Sequence, residues 1–417
     1  MKHVFLIKII VFTFLLCGCS AQKKASVSKA VLLKTIDQNF RDASSQYKLM
    51  MKRLPADRFP KTYYAQTDKF QTAPSNDWCS GFYPGTLLYL YEQTKDQSLL
   101  SEAERILKVL ETEKDNKTTH DLGFMMYCSF GNAERITSKP GYREILITSA
   151  KSLATRFNPK VGCIKSWDRV SSFNGTEWTF PVIIDNMMNL ELLFYATRVT
   201  GDSSYRSMAL SHARNTMKNH VRPDYSSYHV VNYDPETGAV KSKETHQGFS
   251  DNSTWSRGEA WGIYGFTMCY RESKEKSFLK TAQGMANYFL NHLPKDTIPA
   301  WDFNVNQPGY NPQWKYEPSK FSEIPKDASA AAIAASALIE LSTYVGKAQS
   351  KKYLKAAEDL LFALSSPKYK ASIGENGNFI LKHSTGAVPL NSEIDVPLTY
   401  ADYYFVEAMK RYKELEK

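Results

Sequence analysis

A helical hairpin that recurs along the chain constrains its fold more than any other feature. Residues 87–91 are apolar and lead through Thr94-Lys95-Asp96 into the amphipathic run 99–110. The same succession returns at 190–197, Thr200-Gly201-Asp202 and 205–217, and again at 262–270, 273–276 and 278–290. A fourth copy spans 330–344, Gly346-Lys347 and 353–364, and a fifth runs from Phe124 through Ser138-Lys139-Pro140-Gly141 to 142–157. A C-terminal helix at 400–415 pairs with an N-terminal one at 26–54 to complete a sixth. A repeated unit of this size cannot bury its apolar face alone and stacks on its neighbours instead. In each copy the first helix is apolar nearly all round and the second keeps a charged face, so the first belongs inside and the second outside. Six hairpins arranged as two concentric rings describe an all-α (α/α)6 barrel. No Pro/Gly-rich linker and no low-complexity block interrupts residues 26–417, which read as one domain.

Residues 1–19 lie outside this pattern. Lys2, His3 and Lys8 precede the apolar run 9–16, which is too short to span a bilayer as a mature helix. The run ends in Leu16-Cys17-Gly18-Cys19, a bacterial lipobox with Cys19 as the residue to be lipidated; the plainer alternative is an ordinary cleaved signal peptide. Lys23 and Lys24 follow without an acidic residue beside them, and the expected address is the periplasm, with a lipid anchor in the outer membrane. Four cysteines remain, Cys79, Cys128, Cys163 and Cys269, without the CxxC spacing of a zinc site, and no metal is expected. Cys128 and Cys269 sit in apolar helical stretches as small core residues, while an oxidising compartment leaves a disulfide open. The net charge of +10 is spread along the chain, which argues against nucleic acid and suits an anionic polysaccharide. Aromatic residues make up 13% of the chain, enough to supply both a helical core and faces on which pyranose rings stack.

In such a barrel the loops entering the inner helices meet where the helix N-termini converge with their positive dipole ends. One long approach, 162–181, carries Trp167, Asp168 and Trp178 and leads into Val182-Ile183-Ile184-Asp185-Asn186-Met187-Met188-Asn189-Leu190. Asp185 is embedded in apolar residues, and burial raises a carboxyl pKa towards the range of a general acid. It is equally a candidate helix cap. Asp121, in Thr118-Thr119-His120-Asp121-Leu122-Gly123-Phe124, has the same two readings, and paired carboxyls suit glycoside chemistry. The stretch His246-Gln247-Gly248-Phe249-Ser250-Asp251-Asn252-Ser253-Thr254-Trp255-Ser256-Arg257-Gly258-Glu259-Ala260-Trp261-Gly262 is the richest. Arg257 and Trp261, four apart, share a helix face, where a guanidinium beside an indole holds a carboxylate and stacks on a sugar, or else forms an Arg–Glu pair and a core Trp. His229 lies in the alternating segment 228–233, where a lone histidine is usually structural.

Together with Asp327-Ala328-Ser329-Ala330-Ala331-Ala332-Ile333-Ala334-Ala335-Ser336, these segments resemble, in order over roughly 75–410, the unsaturated glucuronyl hydrolases of glycoside hydrolase family 88. The resemblance implies an (α/α)6 catalytic domain with neither metal nor other cofactor. It also implies substrates left by polysaccharide lyases, oligosaccharides ending in a 4,5-unsaturated uronic acid. Such enzymes protonate C4 of the vinyl ether while water adds at C5; the hemiketal then opens and the glycosidic bond is lost. On this resemblance Asp185 is the acid/base and Asp121 the second essential aspartate. His229, Gln247 and Arg257 bind substrate, and Trp261, Trp167 and Trp78 stack on it or line the entrance. Tyr400, Tyr403 and Tyr404 compete for the place of a C-terminal substrate tyrosine, and Lys382-His383-Ser384-Thr385-Gly386 is a candidate wall for the second sugar. The alternatives are an unsaturated rhamnogalacturonyl hydrolase acting on pectin fragments, a non-catalytic sugar-binding lipoprotein, and a sugar epimerase relying on paired histidines.

Overall fold

Residues 28–417 are described by the computed structural model, so the leader expected at 1–19, with Cys19, lies outside the described residues. Each expected hairpin is present. The inner helices are α2 (Phe82–Thr94), a π-helix (Gly123–Gly131) continued by α4 (Asn132–Thr137), α6 (Leu190–Thr200), α8 (Ser256–Ser273), α10 (Ala328–Ser342) and α12 (Thr399–Leu415). The outer ones are α1 (Lys29–Met51), α3 (Gln97–Leu110), α5 (Tyr142–Ala154), α7 (Ser203–Asn219), α9 (Lys276–Asn291) and α11 (Lys347–Leu364). Each inner helix packs on the next, and α12 returns to α2, which closes the ring.

The local chemistry explains the turns. At Thr94-Lys95-Asp96 and Thr200-Gly201-Asp202 the middle residue takes a left-handed conformation that ends the inner helix. The following aspartate then accepts the Ser98 or Ser204 N–H and starts the outer helix. This two-residue reversal keeps partners antiparallel. Inner helices are buried all round; α10 is the extreme case, an Ala/Ser-rich rod whose small side chains let α8 and α12 approach closely. Among the described residues Cys79, Cys128, Cys163 and Cys269 form no disulfide.

The short strands all belong to loops that enter inner helices. Phe59–Tyr64 pairs with Lys69–Ala73 before α2, and Ser384–Ala387 with Ser392–Val396 before α12. A three-stranded antiparallel sheet joins Pro181–Ile183 to Val230–Tyr233 and the latter to Val240–Glu244. The alternating segment around His229 is thus a strand, and its register sets Ile183 opposite Val230. These loops form a collar around one end of the barrel.

Candidate active site

Three enclosed or grooved regions stand out, and hydrogen-bond satisfaction separates them. A groove of about 540 Å³ runs past Arg156, Lys160 and Glu236, and a cavity of about 320 Å³ lies deeper along the ring beside Tyr403, Tyr404, Glu407 and Arg411. Neither is lined by a buried side-chain atom lacking a partner among the described residues. A third cavity, of about 230 Å³, lies within the collar. Five of its lining atoms are buried and without a hydrogen bond among the described residues: Asp185 Oδ2, His120 Nε2, Arg257 Nε, Glu393 Oε1 and Tyr400 Oη. Buried polar groups are normally paired, so such a concentration in one cavity marks a seat for a polar ligand.

Sheet register places the first carboxyl. The strand ending at Ile183 delivers Asp185 into the 3₁₀ turn Ile184–Asn189, and the Ile184 N–H donates to the His229 carbonyl at 3.0 Å. His229 Nε2 consequently stands 3.7 Å from Asp185 Oδ2. The Asp185 side chain caps no helix, which removes the plain structural reading of this residue. Burial pushes its carboxyl up to about 7; Asp121 adds to the rise, while Arg257 and the Trp261 N–H oppose it.

The second carboxyl is tied to the first through Asn189. Its Oδ1 accepts the Phe124 N–H at 2.9 Å and its Nδ2 reaches Asp121 Oδ1 at 3.5 Å. This contact requires Gly123, since a Cβ there would stand 2.4 Å from the Asn189 Cα. Asp121 does not cap the π-helix either.

Opposite the carboxyls, α8 presents Arg257 from its first turn. The guanidinium donates to Asp327 Oδ2 at 2.9 Å, to the Gly386 carbonyl at 2.7 Å and to the Thr385 carbonyl, all buried. It also lies over the rings of Trp255 and Tyr400, at 4.5 and 5.2 Å. Its ion-pair partner is therefore Asp327, which also caps α10, while Glu259 accepts from Ser227. Gln247 Nε2 donates to the same Gly386 carbonyl at 3.3 Å. Trp78 packs on Tyr400 and Phe124 at the wall, and Trp167 stacks on Trp178 while standing edge-on to His120 and His229.

The two histidines carry opposite tautomers, each set by the backbone. His229 Nδ1 accepts the His246 and Gln247 N–H groups, so its proton sits on Nε2. Burial, with His246 and Arg257 nearby, holds its pKa well below the usual range. His120 Nδ1 lies 2.8 Å from the Ser166 carbonyl, which only accepts, so its proton is on Nδ1.

This arrangement suits proton delivery to a bound anionic sugar, and the sequence relationships agree. The model described as Glycosyl Hydrolase Family 88 matches residues 51–416. The chain belongs to this family. It is 43% identical to an unsaturated glucuronyl hydrolase of Formosa agariphila, over 99% of both chains. An unsaturated chondroitin disaccharide hydrolase of Streptococcus pyogenes is 31% identical, over 89% of each. Among solved structures, an unsaturated glucuronyl hydrolase specific for heparin superimposes with a TM-score of 0.84 at 45% identity, covering 92% of this chain and 98% of that one. The (α/α)6 barrel is the architecture of these family 88 enzymes.

Within this family 88 chain the sequence-derived site residues fare unequally. Asp121, Asp185, Gln247, Arg257, Trp78 and Trp167 line one cavity, and His229 borders it through Asp185. Trp261 is a correction: it is fully buried, its ring 5.1 Å from Phe124 and 5.2 Å from Tyr404. The helical face it shares with Arg257 points into the barrel, so its indole offers no sugar-stacking surface and instead supports Asp185 from beneath. Of the competing tyrosines, Tyr400 lines the cavity, whereas Tyr403 and Tyr404 belong to the deeper one. Gly386 is at the wall, but Lys382 reaches back to Pro367 and His383 pairs with Asp395. Sequence reasoning missed Lys61 and Glu393. Lys61 stands 2.9 Å from Asp77 and 3.9 Å from Glu393, and burial raises the Glu393 carboxyl. Their two hairpins carry no motif that would have announced them. His120 stood in a quoted motif without a role. Among the described residues no group of three or more His, Cys, Asp or Glu is arranged to hold a metal ion.

Proposed function

We propose that this enzyme releases the non-reducing-end 4,5-unsaturated uronic acid from lyase-generated, glycosaminoglycan-type oligosaccharides by hydrating the C4=C5 bond. The observation that carries this reading is Asp185: a carboxyl raised to about 7, with a free oxygen facing a cavity that also offers Arg257. A carboxylic acid that keeps its proton near neutrality can deliver it to the electron-rich C4 of a vinyl ether. Water adds at C5 and gives its proton to the carboxylate left behind, so Asp185 ends the step as it began. The C5 hemiketal opens to a ketone, O5 leaves C5 as a hydroxyl on C1, and that hemiacetal collapses to an aldehyde and the free alcohol of the next sugar. One water is consumed, and no covalent glycosyl-enzyme intermediate is needed.

The remaining residues take roles that follow from their surroundings. Arg257, held rigidly by Asp327 and two carbonyls, keeps its Nε–H for the uronate carboxylate, and Gln247 stands beside it. His229, neutral with its proton on Nε2, orients Asp185 or donates to the same anion. Trp78 and Trp167 flank the sugar, and Tyr400 turns a phenol O–H towards it. The lipobox at Cys19 supports a periplasmic enzyme anchored in the outer membrane.

Mixing the enzyme with unsaturated disaccharides of glycosaminoglycan and of pectin origin tests the substrate class, because hydration abolishes the ultraviolet absorbance of the double bond. Loss confined to glycosaminoglycan products supports the proposal, and loss confined to pectin products assigns the rhamnogalacturonyl alternative. Binding without loss would describe a sugar-binding protein. Asp185→Asn must lose turnover with unchanged helical circular dichroism; near-native turnover in that variant would sink the role given to Asp185.

A further inference from the structure

His120 meets Asp121 at a contact that a neutral imidazole and a bare carboxylate together do not satisfy. Its Nδ1 is committed to the Ser166 carbonyl at 2.8 Å, an oxygen that also receives Arg156 Nη2 at 3.2 Å. A neutral imidazole therefore turns a bare lone pair outward on Nε2. That atom is buried, has no hydrogen-bond partner among the described residues, and lies 3.3 Å from Asp121 Oδ1. Asp121 already accepts from the Thr119 hydroxyl on Oδ2, at 3.3 Å, and from Asn189 on Oδ1. With Asp121 as a bare carboxylate, the buried Nε2 and a partly exposed carboxylate oxygen would face each other as two acceptors at contact distance. Such a contact is repulsive, and a proton between the two atoms relieves it.

We propose that His120 is a positioning residue that keeps one proton between its Nε2 and Asp121 Oδ1, so that the two side chains meet the substrate as a neutral pair. The pairing answers a charge problem in the cavity. Asp121, Asp185 and Glu393 face it against Lys61 and Arg257, and Arg257 is already matched by Asp327. A uronate entering that surplus of carboxyls is repelled unless protons are held there. His229 cannot serve, because its Nδ1 is taken by two backbone N–H groups and its proton points at Asp185.

The groups facing His120 set where the proton rests. Asp121 adjoins it in the chain, Arg156 follows α5, Asp168 lies in the loop after Ser166, and His212 of α7 is near enough to feel its charge. Trp167 covers the ring edge at 6.4 Å. Burial, the largest influence, together with Arg156 holds the His120 imidazole below its usual range, against Asp121, the Ser166 carbonyl and Asp168, which favour the charged ring. As pH rises through that lowered range the proton is lost, an uncompensated carboxylate faces the bound uronate, and substrate affinity falls.

This inference rests on the reading of the cavity as a uronate site, and two measurements keep the two separable. The first is the pH dependence of KM and kcat for an unsaturated disaccharide in the native enzyme and in His120→Asn, whose amide replaces Nδ1 but leaves nothing at Nε2. The native KM is expected to rise by about tenfold as pH increases through one ionisation, the effect of a like charge at a few ångströms. In His120→Asn the KM is expected to be high already at acid pH, with the His120 ionisation absent from its profile. A variant whose KM rises with pH in parallel with the native curve, or that loses only kcat, overturns the proposal. The second measurement needs no turnover: calorimetric binding of D-glucuronate, in two buffers of different ionisation heat, to Asp185→Asn, which removes the carboxyl that itself titrates near 7. Uptake of about one proton on binding just above the lowered His120 range is expected, and no uptake overturns it. Proton uptake in that variant, where the native enzyme fails to hydrate any unsaturated disaccharide, would refute the proposed function and leave this pairing standing.

Discussion

Trp261→Phe separates the place of this residue in the structure from the one its spacing suggested. The indole is buried beneath Asp185 and its N–H favours the charged form of that carboxyl. Phenylalanine keeps the apolar packing against Phe124 and Tyr404 but removes the donor. Asp185 stands about three pH units above its ordinary value of 3.8, which corresponds to a cost of about 4 kcal/mol for charging it in place. A hydrogen bond to a charged group contributes about 1.5–3 kcal/mol, and the indole is the smallest of the influences named for Asp185, so the lower end applies. Losing about 1.5 kcal/mol of support for the carboxylate raises the Asp185 pKa by about one unit. The sign follows directly: the acid form persists to higher pH, so the alkaline limb of kcat moves upward by about one pH unit. The assay is the loss of double-bond absorbance across pH 5–10, roughly bracketing a pKa near 7. An unmoved limb together with a KM raised about tenfold, the loss of a stacking contact, would refute the buried-support role and reinstate Trp261 as a sugar platform.

Two further substitutions probe the opposite wall. Arg257→Met leaves Asp327 buried and uncompensated, both side chains being at most 1% exposed, and should cost about 3–5 kcal/mol in a urea unfolding curve. A midpoint equal to that of the native chain would show that the pair does not hold α8 to α10. Tyr400→Phe deletes a buried hydroxyl that has no hydrogen-bond partner among the described residues, so stability should be unchanged or slightly raised. Its kcat/KM should nevertheless drop by about tenfold, the loss of one hydrogen bond to substrate. A variant that is instead destabilised would place the phenol in the fold and not in the site.

The ring architecture was legible in the sequence because it depends on a period. Six apolar helices, each followed by a polar reversal and an amphipathic helix, can satisfy their burial in few ways, and Asp96 and Asp202 mark the reversals by a chemistry that is itself local. Asp121 and Asp185 were visible as carboxyls at inner-helix approaches, yet local sequence did not separate an acid from a cap. Tertiary structure did, by the pairing of Ile183 with Val230, the bridge of Asn189 across Gly123, and burial that no single segment encodes.

Spacing misled at Trp261, since four residues on a helix fix a face but not what that face meets. Lys61 and Glu393 come from hairpins more than 300 residues apart and acquire meaning only where the collar joins them. The proton positions on His120 and His229 depend on which backbone groups their Nδ1 atoms meet, Ser166 in one case and His246 with Gln247 in the other. Sequence alone thus determined the barrel and the residue types at its mouth. Which of those residues share a cavity, and which atoms in it carry protons, was decided by long-range contacts.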